Sequence, residues 1–97
     1  MTMKSKNLAE VRENIDRIDR ELVKLLGERA VFVGEAAAFK TDTASVQAPQ
    51  RVEAVIAKVR ALAEENQTDP ALIEKIYRAM ISAFTEAEQA EFETNNF

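Results

Sequence analysis

Apolar residues recur in steps of three and four from the start of the chain: Leu8, Val11, Ile15, Ile18, Leu22 and Leu25. The next step lands on Arg29, and the pattern then resumes with Phe32, Ala36 and Phe39. This is the spacing of one heptad seam on a helix. It predicts a long first helix over residues 8–40, with Asn7 as its N-cap. Such a helix is roughly 50 Å long at 1.5 Å per residue. A compact domain of this size has a radius of gyration of only about 13 Å. The helix therefore extends beyond a monomeric globule, and its seam calls for a cover. A second copy of the chain, in an intertwined helical homodimer, supplies one.

Residues 41–48 (TDTASVQA) are small and polar and form the natural loop. Pro49 suits the first turn of a second helix, residues 49–65, carrying Val52, Val55, Ile56, Val59 and Leu62. The EENQT stretch at 64–68 interrupts that pattern. Asp69 and Pro70 then make an N-cap followed by proline at N1. They open a third helix over 70–92, with Leu72, Ile73, Ile76, Tyr77, Met80, Ile81 and Phe84 on its apolar stripe. The stripe continues into Glu88, and residues 94–97 read as a frayed tail. The fold class is all-α, with three helices in a single domain of 97 residues.

Composition narrows the chemistry. Only two Gly and two Pro are present, which suits long helices better than a turn-rich β fold. There is no Cys, so there is no disulfide framework and no thiolate zinc site. There is no His, the commonest general base and metal ligand. The formal net charge of −4 argues against a nucleic-acid partner. No apolar run is long enough to span a membrane, and residues 1–10 lack the apolar core of a signal peptide. A cytoplasmic location, with no metal and no cofactor, is the expectation.

Against this background the polar groups on apolar stripes stand out. A charge on a buried seam is costly unless paired. No acidic residue occupies the seam of Arg29, so an anionic ligand is one candidate partner. A carboxylate on a partner chain, setting register, is the other. Lys40 lies eleven residues after Arg29, three turns on and nearly the same face, and also where a cation complements a helix C-terminus. Arg12 flanks the seam within about a quarter turn of Arg29 and is otherwise a solvated residue. Arg51 stands in the first turn of the second helix, where a cation opposes the dipole. Glu88 either faces inward or marks the helix emerging into solvent beside Glu86, Glu91 and Glu93. Gly27 and Gly34 each cost the first helix about 1 kcal/mol against Ala, which close packing or room for a ligand would explain. Together these residues describe a cationic pocket with one carboxylate. It can clamp a polyanion and stabilise developing charge, and it offers no nucleophile.

The segments LAEVRENIDRIDRELVKLLGER ending at Arg29, AAAFK ending at Lys40, APQRV around Arg51 and EAEQ around Glu88 resemble the all-α chorismate mutases. Within that family they are most similar to the branch that includes isochorismate–pyruvate lyases. The resemblance runs from Leu8 to about Phe92. It implies an intertwined dimer whose long first helices are shared between two active sites. It implies that Arg29, Lys40, Arg51 and Glu88 line one pocket, with Arg12 supplied from the other chain. Arg12 and Arg29 match residues that clamp two substrate carboxylates, and Arg51 a further polar contact. Lys40 matches the residue that bonds a carboxylate and the ether oxygen of the breaking C–O bond. The implied reaction is the pericyclic rearrangement of chorismate to prephenate. It is intramolecular and requires no nucleophile or proton shuttle. The alternative is release of pyruvate from isochorismate to give salicylate, and a second is a non-catalytic helical dimerisation or regulatory module.

The chain departs from the family pattern at three positions. Glu88 stands where many relatives carry Gln, and use of Gln89 instead would require a one-residue slip. A Gln amide donates a hydrogen bond at any pH, whereas a carboxyl donates only when protonated. Activity that rises toward acid pH is the expectation. Val52 replaces a Glu that binds the ring hydroxyl in typical mutases, and Ala48 an Asp found in some. Both changes resemble the lyase branch.

Overall fold

The computed structural model describes residues 4–40, 42 and 48–95. They form an all-α chain of three helices: α1 (Leu8–Ala37), α2 (Pro49–Glu65) and α3 (Pro70–Asn95). α1 and α3 start where a side chain satisfies one of their first amides. Asn7 Oδ1 accepts from the Glu10 amide at 2.9 Å, and Asp69 Oδ1 accepts from the Ala71 amide at 2.9 Å. Pro49 opens α2 behind Ala48, whose side chain supplies no cap. Of the expected loop only Asp42 and Ala48 fall within the described residues, and residues 96 and 97 of the expected tail lie outside them.

By its contacts the chain divides into two compact units, Met1–Phe32 and Val33–Phe97. The first is essentially the long arm of α1. None of α1 is buried, and the apolar seam is open: Leu8 is 60%, Ile15 50% and Leu25 57% exposed. Arg29 is the half-buried member of that seam. A methyl group placed on Gly27 or Gly34 would meet nothing within 4 Å among the described residues, so no close approach there requires either glycine.

α1 ends three residues before Lys40, a correction to the helix read from the heptad. The last turn tightens: the amides of Ala38, Phe39 and Lys40 bond the carbonyls of Glu35, Ala36 and Ala37 at 3.0–3.2 Å. These are three-residue steps, which replace the four-residue ladder where a helix ends without a capping side chain. Phe39, the last seam position, is 87% exposed. Lys40 is thus carried by a turn, and the angular argument that placed it on the face of Arg29 does not apply.

The second unit owes its core to α2 against α3. Ile56, Val59 and Ala63 of α2 are buried, at the three- and four-residue spacing that one helix face requires. The helices are also tied by an ion-pair chain. Arg78 of α3 grips Glu53 of α2 with two parallel bonds of 2.9 and 3.0 Å, and donates through Nε to Glu74 at 2.8 Å. Arg60 of α2 donates to the other oxygen of Glu74 at 2.6 Å. These contacts set α2 and α3 antiparallel, with Glu53 in the first turns of α2 beside Arg78, and Arg60 further along α2 beside Glu74, nearer the start of α3.

The hydrogen bonds from Arg78 hold the Glu53 carboxyl below its ordinary value of 4.5, and those from Arg78 and Arg60 do the same for Glu74. In return Arg78 is pushed above its ordinary value. A depressed carboxyl contributes stability above its unfolded pKa and loses it as pH falls through the folded pKa. The melting temperature is therefore expected to fall as pH drops below about 4.5, less steeply in high salt. Arg78→Met should flatten that dependence between pH 5 and 3. Equal slopes in the two proteins would show that the bridges contribute nothing.

α2 stops in a Schellman motif. The Thr68 amide bonds the Ala63 carbonyl at 2.8 Å and the Gln67 amide bonds that of Glu64 at 3.1 Å. The motif puts Gln67 at φ 57°, a left-handed conformation that favours glycine. Gln67→Gly is expected to raise stability by about 0.5–1 kcal/mol in urea denaturation. Gln67→Val should lower it, and a Gly variant less stable than the parent would contradict the assignment of strain.

Candidate functional site

Glu88 is the buried charged residue of the described chain, at 5% exposure. Its place follows from the phase of α3. It lies four residues after Phe84 and seven after Ile81, both half-buried. A carboxylate taken from water needs a partner, and Lys40 supplies it: Nζ donates to Glu88 Oε2 at 2.7 Å. The Lys40 side chain is 24% exposed and that of Glu88 5%, so the pair is closed on the carboxylate side and more open on the lysine side. The contact joins residues 48 apart in sequence and fastens the turn after α1 to the far half of α3. Glu88 lies ten residues past Arg78, about 15 Å along the helix. An apolar depression between Val59, Leu62 and Ala63 of α2 and Ile73 and Tyr77 of α3 marks the opposite end of the helix pair. It carries no charged side chain and is not the place for anion chemistry.

Gln89 turns away from Lys40. Its Nε2 donates along α3 to Glu93 Oε1 at 3.2 Å, and its Oε1 is buried without a hydrogen-bond partner among the described residues. The side chain that meets Lys40 is Glu88. Arg51 lies exposed in the first turn of α2, and Val52 beside it is half-buried. Arg12 is exposed on the α1 arm, and Arg29 is half-buried further along it. Within the second unit, then, the sequence candidates Lys40 and Glu88 come into contact.

Sequence reading passed over the Arg78 chain entirely. Its signals were present: Glu74 and Arg78 are one turn apart on α3, and Glu53 and Arg60 are two turns apart on α2. What was missing was the pairing of those two faces. Among the described residues, no group of three or more His, Cys, Asp and Glu side chains converges in a way that would hold a metal ion. No described helix is long and apolar enough to cross a membrane.

By its three helices the chain belongs to the all-α proteins. More particularly, it belongs to the type II chorismate mutase family, whose model matches residues 11–89. Two relatives fall on either side of the family's chemistry. An isochorismate pyruvate lyase of Pseudomonas aeruginosa is 39% identical over 85 residues, covering 88% of this chain and 83% of that protein. A chorismate mutase of Methanocaldococcus jannaschii is 31% identical over 75 residues, covering 76% of each. The chain is an enzyme-family member whose match takes in Arg12, Arg29, Lys40, Arg51 and Glu88.

Proposed function

We propose that the chain is a chorismate mutase, and that it converts chorismate to prephenate in a pocket built around Lys40. The observation that carries this reading is Lys40, whose ammonium is held 2.7 Å from buried Glu88 and whose side chain is still partly open to solvent. The rearrangement breaks a C–O bond and leaves negative charge growing on the ether oxygen. A fixed ammonium at that oxygen stabilises the transition state more than the ground state, which is what accelerates the step. The remaining task is to hold the enolpyruvyl side chain over the ring. Arginine is suited to it, since its planar fork binds a carboxylate through two parallel bonds. Arg29 and Arg12 take the two substrate carboxylates in this reading, and Arg51 makes a further polar contact.

The proposal includes a homodimer in which Arg12 of one chain completes the site of the other. The open seam of α1 supports it, since rows of half-exposed Leu and Ile gain about 25 cal/mol per Å² when covered. Gly27 and Gly34 support it too. They weaken α1 without relieving any contact among the described residues, and they are one heptad apart on the helix that a partner would approach. Light scattering at micromolar concentration should give twice the chain mass of 10.9 kDa. An active protein of single-chain mass would remove Arg12 from the site.

Release of pyruvate from isochorismate, giving salicylate, is the second reading. It is favoured by the 39% identity to a lyase, and Val52 and Ala48 resemble that branch. Both reactions are pericyclic and suit one cationic pocket. A paired assay separates them. The purified chain is given chorismate with prephenate as the product sought, and isochorismate with salicylate fluorescence as the signal. Prephenate without efficient salicylate formation supports the mutase. Dominant salicylate formation moves the chain to the lyase, and turnover of neither substrate leaves a helical dimerisation module.

A further inference from the structure

The first turns of α2 are weakly built. Ala48 leads into them with a left-handed backbone, φ 37°, which an L side chain adopts only at a cost. It supplies no capping bond, Pro49 has no N–H to offer, and the first helical bond runs from the Val52 amide to the Ala48 carbonyl at 3.1 Å. Arg51 adds a cation where the helix dipole disfavours one. Packing adds little at this end: no α2 side chain before Ile56 is buried, and Val52 and Val55 are half-buried. A helix end of this kind opens locally unless something outside it holds it closed.

The Arg78 brace is placed to do so. Its Nε is fixed on α3 by Glu74 at 2.8 Å, which turns the fork of the guanidinium toward Glu53. The fork then takes both Glu53 oxygens at 2.9 and 3.0 Å. Glu74 is itself held from α2 by Arg60 at 2.6 Å, one heptad after Glu53. One connected set of charges thus grips α2 at two points, and the outer point is two residues from Arg51. Residues two apart on a helix do not face each other. The brace therefore occupies a face that Arg51 does not use and leaves its guanidinium free.

We propose that Arg78 is a positioning residue for the substrate site: by gripping Glu53 it keeps the first turns of α2 folded on α3, and so keeps Arg51 where the substrate meets it. The proposal rests on the reading of Arg51 as a substrate contact, and adds a residue that acts through it from the opposite helix. Without the grip, Arg51 is in place only for the fraction of time that the turn is folded. Apparent affinity falls by that fraction, while the chemical step in the bound state is unchanged.

The test uses the full chain and whichever of chorismate and isochorismate it turns over. Arg78→Met is expected to raise KM about two- to fivefold with kcat unchanged, the span open to an exposed ion pair of good geometry. Amide hydrogen exchange at 52–55 should quicken by a similar factor, while that at 59–63 stays as in the parent. Glu53→Ala cuts the same tie from the α2 side and should reproduce both effects. Arg78→Lys, which keeps the charge and loses the two-point grip, should fall between. The deciding measurement is a double-variant cycle. In an Arg51→Ala background, Arg78→Met should raise KM no further, because the group it positions is gone. Equal penalties in the two backgrounds would make Arg78 a general stabiliser and overturn the proposal. So would an Arg78→Met protein with parental KM or parental exchange at 52–55, and an Arg51→Ala defect beside it would leave the site standing. Parental KM and kcat in Arg51→Ala would instead take Arg51 out of the pocket, and the positioning role with it.

Discussion

Lys40→Met is expected to lower kcat/KM by about 10²- to 10³-fold, the cost of deleting one fixed donor from a developing oxyanion. Methionine keeps the length and apolar stem of lysine and removes only the charge and its donors. The same change should also destabilise the fold. It leaves Glu88, 5% exposed, without the ammonium that compensates it. Breaking a buried pair from one side costs about 3–5 kcal/mol. A value at or below the lower end is expected, because Lys40 is 24% exposed and water already screens that side. The two consequences come apart in the double variant. Lys40→Met with Glu88→Gln removes the stranded charge, so stability should return while turnover stays low. Chemical denaturation and steady-state kinetics on the same four proteins give the full cycle. A Lys40→Met protein that folds and turns over normally would take the site away from this residue.

Arg29→Ala should reduce kcat/KM by a comparable factor of about 10²–10³ while the protein keeps its helical circular dichroism. The expectation follows from position and chemistry. Arg29 interrupts a seam that is otherwise apolar, from Leu8 and Val11 to Ala36 and Phe39, and a guanidinium binds a carboxylate through a fork that no shorter or rounder side chain reproduces. Arg29→Lys tests the fork directly, since it keeps the charge and loses the two-point geometry. It should recover only a small part of the activity. Should Arg29→Ala unfold or dissociate the protein instead, the residue sets register between chains, and its carboxylate partner belongs to the protein. Kinetics alone would not separate these outcomes. The dichroism and the mass in solution do.

The helical architecture was legible in the residues for a simple reason. Helix periodicity, Asn7, Pro49 and Asp69–Pro70 are all local signals, and each acts within one or two turns of where it is written. Glu88 was legible in the same way, because its phase on α3 is fixed by Ile81 and Phe84. The end of α1 was not. Residues 36–38 are three alanines, which favour helix and give no stop signal, and the heptad spacing runs straight through to Phe39. Backbone hydrogen bonds that tighten at Ala38 decide the matter, and they leave no mark on composition. Gln67 shows the converse. A left-handed cap usually announces itself as glycine, and here glutamine takes the conformation because the Schellman bonds of Thr68 and Gln67 compensate it.

What the sequence determined by itself, therefore, is the class of the chain, its three helices and the family it belongs to. Those properties follow from short-range propensity, from spacing, and from runs of residues that can be matched one by one. Tertiary structure alone decided which polar groups meet. It set Lys40 against Glu88 across 48 residues and Arg78 against Glu53 across 25. Such pairings depend on where a helix stops and on how two faces are aligned, and a shift of one residue in either would break them. The ionic contacts of a fold are short-ranged in space and unrestricted in sequence, so they become visible only once packing has brought the chain together.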